Sequence, residues 1–181
     1  MGKRINMSGD ERREYIVDLL KKSDKPLTGK KLAEKTGVSR QVIVTDIALL
    51  RTSEEPIIAT SRGYMYYQQT NQKDTFRKVI VCKHTPEETK KELELLVDCG
   101  VTVVDVIVEH PFYGELTGSL MIKSRYDVEQ FVLSFSENNA ALLSILTDGI
   151  HLHTIESDSR EKMDAACNAL ERAGILVTGN N

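Results

Sequence analysis

Two histidines one residue apart, His151 and His153, stand in the run from His151 to Ile155, which reads as a β-strand. Positions i and i+2 of a strand project from one face, so two imidazoles at this spacing can converge on one ion. A solvated strand face would show the same spacing, so the pair needs companions. His84 follows a strand-like run from Phe76 to Lys83 and precedes a helix expected from Pro86 to Asp98, with Thr85 as its cap, Pro86 in the first helical position and Glu88 closing a capping box. Glu92, one turn on, lies at the edge of the apolar stripe Leu93, Leu96 and Val97. A covered carboxylate there needs a partner, which a cation supplies; a solvated one needs none. His84, Glu92, His151 and His153 together make a set of three nitrogens and one oxygen, suited to Zn²⁺, Ni²⁺ or Fe²⁺ rather than Mg²⁺ or Ca²⁺. Cys82 shares a strand face with His84 and is either a reserve ligand or a buried core thiol.

The remaining histidine, His110, opens a loop with Pro111, Phe112, Tyr113 and Gly114, directly after a Val/Ile-rich strand. Phe112 and Tyr113 offer flat surfaces for a ring and His110 a donor or acceptor, so the loop reads either as the wall of a small-molecule pocket or as a packed turn.

The elements that must position these residues alternate in type. Strands are expected over Phe76 to Lys83, Val101 to Glu109, Leu116 to Ile122, His151 to Ile155 and Ile175 to Val177. Helices are expected over Pro86 to Asp98, Arg125 to Phe135 with Ser124 as cap, and Asp158 to Ala173 ended by Gly174. The run from Ala140 to Leu146 fits strand or helix equally. Strands alternating with helices, with two strands joined directly by a loop, predict an α+β sandwich of split βαβ, ferredoxin-like character over residues 75–181.

The first 70 residues follow a different pattern. Thr28 is placed to cap a helix, Leu27 and Leu32 to staple its start, and Gly37 to end it. Ser39 caps a second helix, stapled by Val38 and Ile43, whose buried face is Ile43, Ile47 and Leu50. Its other face carries Arg40, Gln41, Val44 and Thr45, types suited to phosphates, base edges and the thymine methyl. Upstream, Ser8 and Glu11 open a helix with Tyr15, Ile16, Leu19 and Leu20 on its apolar face, stopped between Asp24 and Pro26. Downstream, Pro56 to Thr60 and Tyr64 to Tyr67 form a hairpin around Ser61, Arg62 and Gly63, with Arg62 either reaching DNA or simply solvated. Three helices and a hairpin make a winged helix-turn-helix over residues 1–70, with Thr28, Ser39, Arg40, Gln41, Val44, Thr45 and Arg62 as candidate DNA contacts. The polar run from Gln68 to Asp74 reads as the linker.

Charge divides the same way. The overall net charge is −3, but residues 1–70 hold 13 Lys and Arg against 9 Asp and Glu, a net of +4, and the remainder holds 11 against 18, a net of −7. A basic front and an acidic rear suit a protein that offers only its first domain to double-stranded DNA. The chain has no apolar run of membrane-spanning length and no secretion signal at its start, so a cytoplasmic protein without a membrane partner is expected. The three cysteines, Cys82, Cys99 and Cys167, are an odd, widely spaced set, expected to be reduced.

The segments SRQVIVTDIALL, PIIATSRGYMY, KHTPEE, HPFYGELTG and HLHTI, in that order, resemble those of the niacin-responsive transcriptional repressors with a C-terminal three-histidine domain. The winged helix alone is shared with biotin-operon and sugar-operon regulators; the later motifs are specific. The resemblance implies a homodimeric repressor of NAD-synthesis or niacin-uptake genes, acting on a palindromic operator with nicotinic acid as co-repressor. It also implies one divalent transition metal at His84, Glu92, His151 and His153, and a nicotinate site in the same domain, for which His110, Phe112 and Tyr113 are the candidates. A metal-responsive regulator would use the same ligands without nicotinate. A metalloenzyme fused to a DNA-binding domain would need a water-activating site, with Glu88 or Glu109 as its acid or base. The sequence shows no nucleophile elbow and no phosphate-binding glycine loop, so no enzyme is expected.

Overall fold

The computed structural model describes residues 7–67, 75–138 and 141–179. The expected linker from Gln68 to Asp74 lies outside the described residues. The chain divides into two compact units, Met1–Thr70 and Asn71–Asn181.

The first unit is three helices and a hairpin. Helix α1 (Gly9–Lys21) starts with the Ser8/Glu11 capping box, α2 (Gly29–Thr36) is capped by Thr28 and ended by Gly37 in the left-handed conformation, and α3 (Arg40–Thr52) is capped by Ser39. Strands β1 (Ile57–Thr60) and β2 (Gly63–Tyr66) pair antiparallel. The buried face of α1 is Ile16, Val17 and Leu20 rather than one including Tyr15, because residues 16, 17 and 20 share a single turn facing Leu32, Ile43, Ile47 and Leu50. The hairpin also gains a third partner. Leu27 exchanges two main-chain hydrogen bonds with Tyr64, 2.8 and 2.9 Å, so the residue that precedes α2 extends the little sheet. Gly63 permits this approach: a Cβ there would sit 2.5 Å from the Leu27 carbonyl oxygen.

The second unit runs β3 (Phe76–Lys83), a 3₁₀ turn (Pro86–Glu88), α4 (Thr89–Asp98), β4 (Thr102–His110), β5 (Gly114–Ile122), α5 (Arg125–Asn138), a second 3₁₀ turn (Leu143–Thr147), β6 (Ile150–Ser157) and α6 (Arg160–Arg172). The sheet order is β3-β6-β4-β5, with every neighbouring pair antiparallel. Both βαβ units are split, since β6 lies between β3 and β4, and β4 lies between β5 and β6. Helices α4 and α6 pack on the sheet and on each other, and α5 packs on α4. Leu93, Leu96, Val103, Ile122, Val128, Ile155 and Leu170 close the core between them.

Most element ends shift by one to three residues from the sequence reading, and three segments differ in kind. The segment after Thr85 begins as a tight turn, with the Glu88 N–H on the Thr85 carbonyl at 3.0 Å, and becomes α-helical only from Thr89. The Ala140 to Leu146 run resolves over its described part into the 3₁₀ turn, neither strand nor long helix. Ile175 to Val177 forms a single bridge, Cys82 to Leu176, because the short tail after Gly174 meets only the edge of β3.

Candidate metal centre and nucleic-acid interface

Alternation on the strands builds the metal site. In the β3–β6 ladder Cys82 lies opposite His151 and Ile80 opposite His153, so both histidines share the core-facing side of the sheet. His84 follows β3, and α4 lays Glu92 over all three rings. Glu92, His151 and His153 are 1, 2 and 3 % exposed, which makes this the most deeply buried cluster of ionisable groups in the unit.

Each ring is fixed by a carbonyl. His84 Nδ1 donates to Thr85 O at 2.7 Å, His151 Nδ1 to Gly149 O at 2.9 Å and His153 Nδ1 to Asp105 O at 2.6 Å. A carbonyl only accepts, so Nδ1 carries the hydrogen in all three and Nε2 is left to face inward. The three Nε2 atoms lie 2.7, 3.2 and 3.4 Å from Glu92 carboxylate oxygens. Three imidazole lone pairs and a carboxylate would repel one another in this dry setting unless a proton or a cation stands between them. Burial pushes His84 and His153 toward neutrality, but the hydrogen bond and charge of Glu92 outweigh it and hold both above the ordinary histidine value. Burial alone would raise Glu92; the charge of His153 and hydrogen bonds from all three rings hold it well below the carboxylate range.

The donor set therefore fits a transition-metal ion: three Nε2 atoms with Nδ1 anchored to outer partners, plus one carboxylate. Cys82 is also close, with donor atoms of Cys82, Glu92 and His151 all within 4.8 Å of one another. Its thiol is pushed far up, by burial first and by Glu92 second, so it stays protonated in the metal-free protein.

Two outer groups were not apparent from the sequence. Asp105 sits where the register of β4 shifts against β5, and its Oδ1 accepts from Thr154 N at 2.9 Å in place of a ladder bond. That contact holds the carbonyl beneath His153. Gly149 has φ +87, and a Cβ there would fall 2.4 Å from the His84 carbonyl oxygen. An acid within a valine-rich strand and a glycine two residues before His151 were the available signals.

A narrow cavity opens beside the cluster, walled by Leu93, Val106, Leu120, Phe131 and Leu143 and reaching Thr89 and Ser144. The loop assigned to the effector from sequence does not line it. Strands β4 and β5 run nine residues each. They carry Phe112 and Tyr113 to the hairpin tip, where these are 83 and 71 % exposed. His110 Nδ1 accepts from the main-chain N–H groups of Phe112 and Tyr113, both at 3.2 Å, so it braces the turn.

In the first unit, Arg40, Gln41, Val44 and Thr45 are exposed along α3, as a reading helix requires. The Thr28 and Ser39 hydroxyls accept from Lys31 N and Val42 N, so each is engaged as a cap, with its O–H still able to donate. Arg62 is half-buried rather than extended at the hairpin tip, its N–H on Thr60 Oγ1. Asp46, on the inner face of α3, is 2 % exposed and is gripped by Arg12 at 2.7 and 3.2 Å and by Arg13 at 3.3 Å. Two of the basic residues that give this half its charge thus serve the α1–α3 junction.

Comparison with known proteins matches both units. Residues 77–179 match the family described as the 3H domain, and residues 12–65 match an HTH domain. The transcription repressor NadR of Bacillus subtilis (strain 168) is 48% identical over 178 residues, covering 98% of this chain and 99% of that protein. The chain belongs to the niacin-responsive transcription repressors. The probable transcription repressor NiaR of Thermotoga maritima is 42% identical over 167 residues, 92% of this chain and 94% of its own. With its HTH domain this member of the repressor family is a DNA-binding regulator of NAD metabolism. No helix among its described residues is long and apolar enough to cross a membrane.

Proposed function

We propose that this repressor acts as a homodimer on a palindromic operator of NAD-synthesis or niacin-uptake genes, with nicotinic acid as co-repressor. One divalent transition metal ion, Zn²⁺, Ni²⁺ or Fe²⁺, is held by His84, Glu92, His151 and His153. The observation that carries this reading is the convergence of three Nε2 atoms, each oriented by an Nδ1–carbonyl bond, on a carboxylate 1 % exposed. The ion supplies the positive charge that reconciles these donors and an acceptor for a ligand's anionic or nitrogen atom. His110, Phe112 and Tyr113, with both aromatic rings exposed at the hairpin tip, are the candidates for the effector's ring, and the apolar walls beside the cluster exclude water from the ion. Arg40, Gln41, Val44 and Thr45 read the operator, while Thr28, Ser39 and Arg62 position the two helices and the hairpin against the backbone. A ligand shifts DNA binding only through differential affinity, so nicotinate must favour the dimer geometry whose α3 helices match grooves about 34 Å apart.

Calorimetric titration of nicotinic acid, with nicotinamide as control, into metal-loaded and chelator-stripped protein tests the proposal. Saturable binding that prefers the acid and requires the metal supports it; absence of binding in both forms overturns the effector. One observation favours a second reading: four protein donors suffice to close a tetrahedral site with no organic ligand. Operator binding that responds to metal alone, with nicotinic acid without effect, would establish that metal-sensor reading instead.

A further inference from the structure

Helices α4 and α6 cover one face of the sheet in the second unit, where Ile80, Cys82, Val103 and Ile155 meet them in the core. The register defines the opposite face. Val81 pairs with Leu152 and Leu152 with Ile107, Val79 pairs with Thr154 and Lys83 with Ile150, and the Val177 N–H donates to Val81 O at 2.9 Å. Residues directly opposite one another on neighbouring strands share a face. Val177, Val81, Leu152 and Ile107 therefore form one aliphatic row across the sheet, flanked by Val79 and Ile150. None of these packs against the core, and Val79, Ile150 and Val177 are 54, 44 and 46 % exposed. The free face of an antiparallel sheet ordinarily alternates to polar residues. A contiguous aliphatic patch there marks an interaction surface instead.

Charge identifies the occupant. Glu109 stands directly opposite Glu115 on the same face, a like-charge pair that is unfavourable unless a cation meets it. Neither glutamate, nor Lys83, has an ion-pair partner among the described residues. Lys83 lies at the same end of the sheet on its far side, because its partner Ile150 and Glu109 each stand two residues beyond the Leu152–Ile107 pair. Two copies laid face to face about a two-fold axis parallel to the strands set Leu152 of each over Ile107 of the other. The same axis brings Lys83 of each toward Glu109 and Glu115 of the other. An axis across the strands would instead set Lys83 over Arg77 at the opposite end of β3, cation against cation. Packed sheets stand about 10 Å apart, a gap that a lysine and a glutamate side chain span together. Four strands of about eight residues present about 500 Å² per copy, so the pair buries about 1,000 Å², the least that specific association requires.

We propose that the helix-free face of this sheet docks a second copy of the chain about an axis parallel to the strands, with Lys83 of each copy paired to Glu109 and Glu115 of the other. The inference rests on the homodimer reading above and assigns that dimer its surface.

Sedimentation equilibrium of the full metal-loaded chain tests it on the wild type, Val79→Lys, Lys83→Glu and the double variant Lys83→Glu/Glu115→Lys, alongside the metal content of each. Val79→Lys and Lys83→Glu are each expected to raise the dimer dissociation constant about tenfold or more while metal content holds. Adding Glu115→Lys is expected to restore most of what Lys83→Glu loses. The two positions lie three strands apart in one copy, about 14 Å, so rescue reports a contact between copies. Weakening without rescue overturns the charge pairing and its axis. A dimer whose dissociation constant is unchanged by Val79→Lys and Lys83→Glu overturns this inference alone. A wild type that is monomeric both alone and on operator DNA overturns it together with the homodimer reading.

Discussion

His153 donates from Nδ1 to the main-chain carbonyl of Asp105 at 2.6 Å, and the Asp105 side chain in turn accepts the N–H of Thr154, the next residue along β6. A single residue at an irregularity in β4 thus fixes both the ring and the strand that carries it.

Removing the side chain should free that carbonyl to rejoin a regular ladder. Asp105→Ala is expected to lower metal affinity about 10- to 100-fold, the usual range for groups that orient a ligand from outside. Competition with a chromophoric chelator measures this, and an unchanged affinity would show that the backbone keeps its irregular path without the carboxylate.

The metal-free site should give a stability profile tilted to acid. Glu92 is held below its ordinary value, so its contribution is present above about pH 4.3 and lost as pH falls through the lowered folded value. His84 and His153 are held above theirs, so their contribution is present below about pH 6.5 and lost as pH rises through the raised folded values. All three act together only between about pH 4.5 and 6.5. Chelator-stripped protein should therefore show its highest second-unit Tm in that window and decline toward pH 8. Metal-loaded protein should move its optimum upward, because protons compete with the ion for the same Nε2 atoms. A stripped protein whose Tm climbs steadily from pH 5.5 to 8 would falsify the assignment.

Asp46 is expected to govern the first unit. Asp46→Ala leaves Arg12, with 15% of its side chain exposed, beside an apolar junction without its bidentate partner. The cost should be about 3 kcal/mol, the lower end for breaking a covered ion pair. Denaturant unfolding of the unit would report it, and Arg12→Ala added to Asp46→Ala should recover part of the loss. Strict additivity of the two substitutions would mean that the pair is not coupled.

On DNA, the two exposed residues at the start of α3 should separate in effect. Gln41→Ala is expected to cost about 1–3 kcal/mol on the operator and little on unrelated DNA. Arg40→Ala should weaken both and reduce the salt slope by about one. Binding titrations at several salt concentrations distinguish them; equal losses on both DNAs for Gln41 would make it a backbone contact.

Local signals carried most of the fold. The caps at Ser8, Thr28 and Ser39 and the stop at Gly37 act within one helical turn, so they are visible in sequence and recur in the structure. The spacing of His151 and His153 likewise fixed their common face. Relationships between distant segments left fainter traces. The Leu27–Tyr64 bridge depends on Gly63 having no side chain, and Asp46 looks like a flaw in an apolar stripe until Arg12 is brought to it from 34 residues away. The two strands flanking residues 110–113 were legible as runs of Val, Ile and Leu, and as nine-residue strands they carry the loop to an exposed tip.

The carbonyl of Gly149 accepts from both the His151 ring, at 2.9 Å, and the His84 main chain, at 3.4 Å. It also ends the turn that supplies Leu143 and Ser144 to the cavity wall, closed by the Gly149 N–H on Ser144 O at 2.9 Å. One residue is thereby the fulcrum of a lever with the wall on one arm and two imidazoles on the other. A displacement of that wall would therefore be felt at both imidazoles, and a tilt of either ring would be felt at the wall.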